Sequence, residues 1–156
     1  HDMRHMFRIN YFDCVFNFFT SFGYFESLYD EKKAAYGMAA NLKWGGILVL
    51  DYLNTALLRN TLAEHETLQA DGYTFQITRA IRGNRICKEI RVIESGQCSV
   101  YQERVRLYSQ QDLCDLFSAH GMELQQVFGN YQLEPFHPDH SDRMIMVFRK
   151  KPNPDA

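Results

Sequence analysis

Polar and aromatic side chains follow two short apolar segments of this chain, in positions where they could contact a small ligand. The two segments, Tyr11 to Phe16 and Ile47 to Leu50, have the near-continuous apolar character of buried parallel strands. Open α/β sheets bind ligands outside the carboxyl ends of such strands, so the residues that follow them form a candidate site. These residues are Asn17, Phe18, Phe19, Thr20, Tyr24, Tyr52 and Asn54.

Most of these residues also have a purely structural interpretation. One of the two phenylalanines is expected to pack in the core, Thr20 can cap a turn, and Asn54 can cap a short helix. Asn17 is the stronger polar candidate, because an amide between apolar neighbours requires a specific partner. Tyr24 is the stronger aromatic candidate, because it offers a ring for packing and a hydroxyl for orientation.

The segments between and after the two strands predict an α/β fold. Apolar residues recur at helical spacing over Ser27 to Leu42, and Gly45-Gly46 is predicted to end that helix. Strand, helix and strand then form one βαβ unit with a right-handed crossover. A short helix is predicted over Thr55 to Ala63.

The second half of the chain predicts an antiparallel insertion over residues 72–108, followed by a return to the main sheet. Three β-rich segments separated by tight turns indicate a three-stranded antiparallel meander. Their bounds are Tyr73 to Arg79, Arg85 to Ile93 and Ser99 to Leu107. A helix then opens at Ser109, where Ser-Gln-Gln-Asp resembles a capping box with Asp112 in place of the usual Glu. Strands over Glu123 to Phe128 and Arg143 to Phe148 follow, and residues 150–156 are predicted to be a disordered tail.

Composition gives no general signal for several classes of function, although it leaves room for a local charged patch. The net charge of −2 leaves no electrostatic footprint for nucleic acid or an anionic membrane, and no apolar run approaches the ~20 residues of a membrane span. The 4 cysteines contain no CxxC pair and no signal peptide is visible, so we expect reduced thiols in a cytoplasmic protein. Cysteines and histidines are scattered, so we expect no metal site.

Four segments carry a family resemblance when they are taken in order. They are FDCVFNFFTSFGYF from Phe12, LKWGGILVLDYLN from Leu42, ERVRLYSQQDLCDLFSAHGMELQQVFGNY from Glu103 and RMIMVFRK from Arg143. Their succession resembles the fourth strand with its loop, the "LkpGG" strand, the following "YS..eL" segment and the final antiparallel strand of class I S-adenosylmethionine-dependent methyltransferases of the small-molecule type. Each segment is weak alone, and the order makes the match fairly specific.

The resemblance implies only the C-terminal part of such a domain. It predicts a partial Rossmann-like methyltransferase sheet, with parallel strands plus a final antiparallel strand, and it makes the antiparallel insertion a lid over the substrate. The glycine-rich cofactor motif of the family is absent, since no GxGxxG-like stretch occurs. His1 to Arg4 resembles the loop that flanks the adenine of S-adenosyl-L-methionine, the co-substrate.

The resemblance also implies which residues contact the cofactor and the substrate, because they stand at matching positions in the family's segments. The implied cofactor contacts are Asp2, Met3, Asn17, Phe18 and Phe19. The implied substrate contacts are Thr20, Tyr24, Tyr52, Asn54, Arg104 and Tyr131. A frayed N-terminus is an equal alternative for Asp2, and Arg104 is more simply explained as a solvated charge.

The implied function is methyl transfer to an oxygen or nitrogen of a small-molecule acceptor by the intact parent protein, with this chain alone inactive. Such a displacement depends mainly on proximity and orientation, so no catalytic residue is assigned. The alternative is a non-catalytic oligomerisation or interaction module derived from the same fold. An exposed sheet edge invites a homodimer in either case. A DNA methyltransferase is disfavoured because NFFT from Asn17 stands where an NPPY-like motif belongs.

Overall fold

A computed structural model describes residues 2–153 and contains two four-stranded sheets and three helices in this range. The elements in chain order are β1 (Phe12–Asn17), α1 (Leu28–Asn41), β2 (Leu42–Leu53), α2 (Thr55–Thr61), β3 (His65–Ala70), β4 (Tyr73–Arg82), β5 (Arg85–Glu94), β6 (Gln97–Arg106), α3 (Gln110–Ser118), β7 (Met122–Phe128) and β8 (Arg143–Lys150). The interpretation of His1 and the end of the predicted tail, residues 154–156, lie outside the described residues.

The first sheet has the strand order β1-β2-β8-β7. Strands β1 and β2 are parallel, and Asn17 at the end of β1 lies beside Leu50 of β2. Strand β8 runs antiparallel to both of its neighbours. The prediction that the two apolar strands end side by side is therefore confirmed, as is the final antiparallel strand. The side chains of Leu48 and Leu50, which point to the same face of β2, are fully buried, whereas Ile47 and Val49 on the other face are only partly buried.

Helix α1 packs its small residues against this sheet. Ser27 caps its N-terminus by accepting from the backbone of Asp30. Ala34, Ala35 and Met38 form part of its buried face. These residues lie at helical spacing, which places a single apolar stripe against the core.

The helix ends at Asn41, so the prediction that Gly45-Gly46 ends it is wrong. Both glycines belong to β2, where the pairing register with β1 shifts. Gly45 adopts a φ of +75°, and a Cβ on Gly46 would lie 3.1 Å from the carbonyl oxygen of Asp13. The glycines therefore allow an irregular, close approach of two strands.

A cluster of aromatic side chains forms the centre of the core. Phe117 of α3 lies between Phe22 and Phe148, with ring centroids 5.8 and 5.1 Å away. The capping box predicted at the start of α3 is present, with Ser109 and Asp112 each accepting from the other's backbone.

The second sheet contains β3 to β6 in chain order, all antiparallel. The insertion therefore begins at His65 and has a fourth strand in addition to the predicted three. Strand β3 is exposed and mostly polar, which suits a sheet edge but gives no apolar alternation to detect. The backbone N–H of Arg106 donates to Gly23 O at 2.8 Å, which joins this sheet to the loop after β1.

The end of the described chain is well anchored. Lys150, which the sequence places in the disordered tail, is the last residue of β8 and is buried. Within residues 2–153, no helix has the length and apolar content needed to cross a membrane.

Candidate functional site

The loop after β1 is held by the carboxylate of Asp51, near the end of β2. Asp51 is fully buried, and its Oδ2 accepts a hydrogen bond of 2.7 Å from the backbone N–H of Phe19. Its own carbonyl oxygen accepts from the N–H of Thr20 at 3.1 Å. Phe19 and Thr20 both adopt left-handed backbone conformations, with φ of 59° and 56°. Such conformations cost about 1 kcal/mol or more per residue, so Asp51 stabilises a strained turn at the strand ends.

Two further side chains complete the hydrogen-bond network around this carboxylate. Arg143, at the start of β8, donates from Nε to Asp51 Oδ1 at 2.8 Å and from its terminal nitrogen to Thr20 Oγ1 at 2.9 Å. The hydroxyl of Tyr131 donates to Asp51 Oδ2 at 2.7 Å, and this bond raises the pKa of Tyr131. We call Phe19, Thr20, Asp51, Tyr131 and Arg143 the Asp51 network.

Aromatic rings line the outside of this network. The ring centroids of Phe18 and Phe19 are 6.1 Å apart, and those of Phe19 and Tyr131 are 6.5 Å apart. Phe18, Phe19 and Tyr131 are 39%, 78% and 51% exposed. The expectation that one of the two phenylalanines packs in the core is therefore wrong. The structure instead presents adjacent ring faces to solvent at the carboxyl ends of two parallel strands.

Of the two asparagines at the candidate site, Asn17 and Asn54, only Asn17 has a buried side-chain oxygen without a hydrogen-bond partner in the described part of the chain. Its side chain is only 8% exposed, and its Oδ1 accepts no hydrogen bond there. A buried carbonyl oxygen without a partner is costly, and such an atom at the end of a parallel strand is a natural acceptor for a ligand donor. The predicted position of Asn17 at the site is consistent with this geometry.

Tyr24 stays accessible beside the insertion. It is 44% exposed, and partial burial together with the charge of Glu103 raises its pKa. Since Glu103 belongs to β6, the hydroxyl of Tyr24 lies near the last strand of the second sheet. Tyr24 can therefore contact a ligand between the loop after β1 and the second sheet.

Tyr52 and Asn54, two predicted substrate contacts, are instead occupied by the protein itself. Tyr52 is fully buried, and its hydroxyl donates to the carbonyl oxygen of Arg106. Asn54 caps α2 through Oδ1, and its Nδ2 donates to the carbonyl oxygens of Pro138 and Ser141 at 2.8 and 2.9 Å. Both side chains fix loops around the site and leave no free group for a substrate, which corrects the sequence-based assignment.

The remaining predicted contacts lie apart from the Asp51 network. The carboxylate of Asp2 accepts several hydrogen bonds from Arg4, which hold the pKa of Asp2 well below its usual range. Met3 packs against the core beside α1. Arg104 is exposed and pairs with Cys87 across β5 and β6. The described structure makes no direct link from these three residues to the strand ends.

A second buried acid, Glu31, lies under the loop that joins β1 and α1. Glu31 of α1 is fully buried, and neither of its oxygens makes a well-formed hydrogen bond in the described chain. Burial raises the pKa of Glu31 to about 7, although the charges of Arg106 and Arg85 oppose the shift. Arg85 also donates to the carbonyl oxygens of Phe25 and Glu26 at 2.6 and 2.9 Å. Arg85 and Arg106, which both donate to the carbonyl oxygen of Glu26, therefore hold the loop between β1 and α1 against the insertion.

Sequence reasoning missed Asp51 and Arg143 as site residues. Asp51 had a detectable signal, because an acid that directly follows four apolar strand residues is either paired or functional. Arg143 had no comparable signal, since its pairing with Asp51 spans 92 residues of sequence. Among residues 2–153, no group of three or more metal-ligating side chains is arranged to hold an ion.

Comparison with known proteins shows similarity of structure but not of sequence. No family model and no curated protein matches the chain. One similar solved structure is an S-adenosylmethionine-dependent methyltransferase from Clostridium acetobutylicum, with a TM-score of 0.82 and 14% identity, and the match covers 97% of this chain and 63% of that one.

Two others are described as sugar methyltransferases. CalS10, an amino pentose methyltransferase from Micromonospora echinaspora, has a TM-score of 0.65 and 18% identity over 97% of this chain and 63% of that one. The sugar N-methyltransferase KedS8 from a Streptoalloteichus species has a TM-score of 0.65 and 18% identity, over 97% and 61%. The chain thus spans less than two thirds of the length of these proteins. Its architecture is a partial class I S-adenosylmethionine-dependent methyltransferase fold.

Proposed function

We propose that a longer protein containing this chain transfers a methyl group from S-adenosyl-L-methionine to an oxygen or nitrogen of a small molecule. The observation that carries the proposal is the arrangement at the ends of β1 and β2. There the rings of Phe18, Phe19 and Tyr131 are exposed, and the buried side-chain carbonyl of Asn17, the residue before Phe18, accepts no hydrogen bond within residues 2–153. The proposal also includes a cytoplasmic location, which fits the free cysteines.

The residues present suit a sulfonium nucleotide in part. Ring faces attract a cation, and the sulfonium of the methyl donor is cationic. The Oδ1 of Asn17 can accept a hydrogen bond from the ammonium or hydroxyl groups of such a ligand. The chain has no glycine-rich turn, so the remaining contacts of the donor must come from residues outside it.

The chemistry requires orientation more than acid–base groups. Methyl transfer is a direct displacement in which the acceptor atom attacks in line while water is excluded. Phe19 and Tyr131 would shield the reacting methyl group, and the Asp51 network would keep Phe19 in place. A base is needed only if the acceptor must lose a proton.

The acceptor is proposed to be a small polar molecule held between the loop after β1 and the insertion. Thr20 is buried and its hydroxyl oxygen accepts from Arg143, whereas Tyr24 is accessible. Glu103 next to Tyr24 would favour an acceptor with an amine. The two sugar methyltransferases with a similar fold are consistent with this class of acceptor.

The proposal is tested by titrating S-adenosylhomocysteine into the longer protein in a calorimeter. Binding is expected, and Phe19→Ala should weaken it about tenfold through loss of the packing of the ring against the ligand and its thioether sulfur. Tyr29→Ala is the matched control, because Tyr29 is a similarly exposed ring on α1. Absence of binding by the longer wild-type protein would end the methyltransferase proposal.

The 156-residue chain by itself is expected to bind the cofactor weakly or not at all. It contains the aromatic part of the site and lacks the glycine-rich part. Micromolar affinity of the isolated chain, measured in the same way, would contradict this statement and would point to a site rebuilt between chains.

The second candidate function is a non-catalytic interaction module. It is favoured by the row of exposed apolar side chains on and around β1, whose other edge has no partner strand in the described chain. The members of this row are Phe7, Ile9, Tyr11, Phe16, Phe18 and Phe19. An unpaired edge of this kind can pair with a second copy. Analytical ultracentrifugation of the 156-residue chain measures whether it forms a stable dimer. A stable dimer, together with no cofactor binding by the longer protein, would support the interaction module.

A further inference from the structure

A cleft at the opposite end of the first sheet has features of a ligand site of its own. It lies where β1 and β2 begin, far from the strand ends that carry Asn17 and Asp51. Its volume is about 540 Å³, which falls within the usual range for small-molecule pockets. Its walls include Ile9, Tyr36, Trp44 and Lys150.

The one charged side chain buried in this cleft is Lys150. It is only 6% exposed, and its Nζ donates to Asn10 Oδ1 at 2.9 Å and to the carbonyl oxygen of Leu42 at 2.8 Å. An ammonium has three N–H donors, so one of them has no oxygen or nitrogen acceptor among residues 2–153. Burial lowers the pKa of Lys150, as expected for a cation removed from water.

Within the described chain, this cation lacks a negative partner. Among residues 2–153, no carboxylate forms an ion pair with Lys150 and no acidic side chain contributes to the cleft wall. The nearby acid Asp13 is paired with Lys43 instead, at 2.8 Å. A buried charge with only neutral partners is unfavourable, and an anion delivered by a ligand would compensate it.

The rest of the wall is apolar and aromatic. The ring of Trp44 lies over the ammonium of Lys150, with its centroid 4.6 Å from Nζ. The ring of Tyr36 contacts His120 at a centroid distance of 5.7 Å, and both border the cleft. Two exposed rings beside a buried cation match a ligand that has a flat apolar body and a single negative group.

We propose that this cleft binds a small aromatic carboxylate, with the carboxylate on Lys150 and the ring against Trp44 and Tyr36. Carboxylate is favoured over phosphate because one buried N–H donor is available, whereas a phosphate needs several. The site is independent of the methyl-transfer proposal, because the two lie at opposite ends of the sheet and share no residue.

The only tryptophan of the chain provides a direct readout, since Trp44 is part of the cleft. We would titrate 3-phenylpropionate into the 156-residue chain and follow the tryptophan fluorescence, with the neutral 3-phenylpropionamide as the matched ligand. The carboxylate is expected to bind at least about tenfold more tightly, because only it can pair with the ammonium. Equal affinities, or no change in fluorescence with either ligand, would overturn the proposal.

Two variants test whether Lys150 is the group that binds the carboxylate of the ligand. Lys150→Met is expected to remove the preference for the carboxylate and to leave binding of the amide intact. Lys43→Met is the control, because Lys43 is a half-exposed lysine whose ion pair with Asp13 lies outside the cleft. If Lys150→Met does not fold, the comparison of the two ligands on the wild-type chain still decides the matter. A chain that ends at Asn153 should bind the two ligands as the full chain does. If only the shorter chain binds the carboxylate, the carboxyl-terminal segment of the full chain competes for the cleft, and the proposal is rejected.

Discussion

The hydroxyl of Tyr131 donates a hydrogen bond of 2.7 Å to Oδ2 of Asp51, although 80 residues separate them in the sequence. The same oxygen accepts from the backbone of Phe19, so the loop after β1 and the loop after β7 meet on one buried atom. The other oxygen of the carboxylate binds Arg143. The shape of the candidate site therefore depends on a single acidic side chain.

Replacement of Asp51 by asparagine is expected to reduce the free energy of unfolding by about 3 kcal/mol. The change leaves the guanidinium of Arg143 without its charged partner in a partly buried position and weakens the bond to Phe19. Urea denaturation followed by circular dichroism measures the difference. Asp139→Asn is the control, because the Asp139 side chain is 76% exposed, and its cost should stay below about 0.5 kcal/mol.

The Tyr131–Asp51 bond can be measured by itself with a double-mutant cycle. Tyr131→Phe is expected to cost about 1 kcal/mol in the wild-type chain, because one hydrogen bond to a charged group is lost while the ring remains. In the Asp51→Asn chain the same change should cost less, since the charged acceptor is gone. Identical costs in the two backgrounds would mean that the hydroxyl contributes nothing through Asp51.

Gly23→Ala is expected to destabilise the protein by about 2 kcal/mol or more. Gly23 has a φ of +97°, and an added Cβ would lie 2.5 Å from the hydroxyl oxygen of Tyr52. Gly72→Ala is the matched control, because Gly72 has a φ of +83° and nothing within 4 Å of the added carbon. It should show only the backbone cost of about 1 kcal/mol, so the difference between the two variants measures the steric overlap.

The stability of the chain is expected to fall as the pH rises from about 5 to 8. Burial raises the pKa of Glu31 to about 7 from its ordinary value of 4.5. Between these values the folded chain binds more protons than the unfolded chain, so deprotonation favours unfolding and the contribution is lost as the pH passes 7. Chemical denaturation across this range measures the slope, which Glu31→Gln should reduce. Glu26→Gln, at an exposed position, should retain the wild-type slope.

The sequence predicted the first sheet well because its strands are apolar and its helices are amphipathic. The parallel pairing of β1 and β2 followed from the βαβ order, and the capping box at Ser109 followed from residue types alone. Strand β3 was missed because an exposed edge strand has no apolar alternation. The end of α1 was misplaced because a glycine pair that normally stops a helix here allows an irregular strand pairing instead.

The sequence predicted where the candidate site lies, but not the hydrogen bonds that shape it. Sequence reasoning located Asn17, Phe18 and Phe19 at a strand end, where the structure also has them. It anticipated the helix cap at Asn54, but it could not find the bonds of the Tyr52 hydroxyl and the Asn54 amide group, because their backbone acceptors are distant in sequence. For the same reason it did not reveal the partners of Asp51.

The Asp51 network also bears on how the chain matures during synthesis. A ribosome releases the loop after β1 and the carboxylate of β2 long before it releases Arg143, which opens the last strand. Until β8 inserts between β2 and β7, the left-handed turn at Phe19 and Thr20 lacks the guanidinium that steadies it. The turn at Phe19 and Thr20 is thus expected to be among the last parts of the described chain to reach its final conformation.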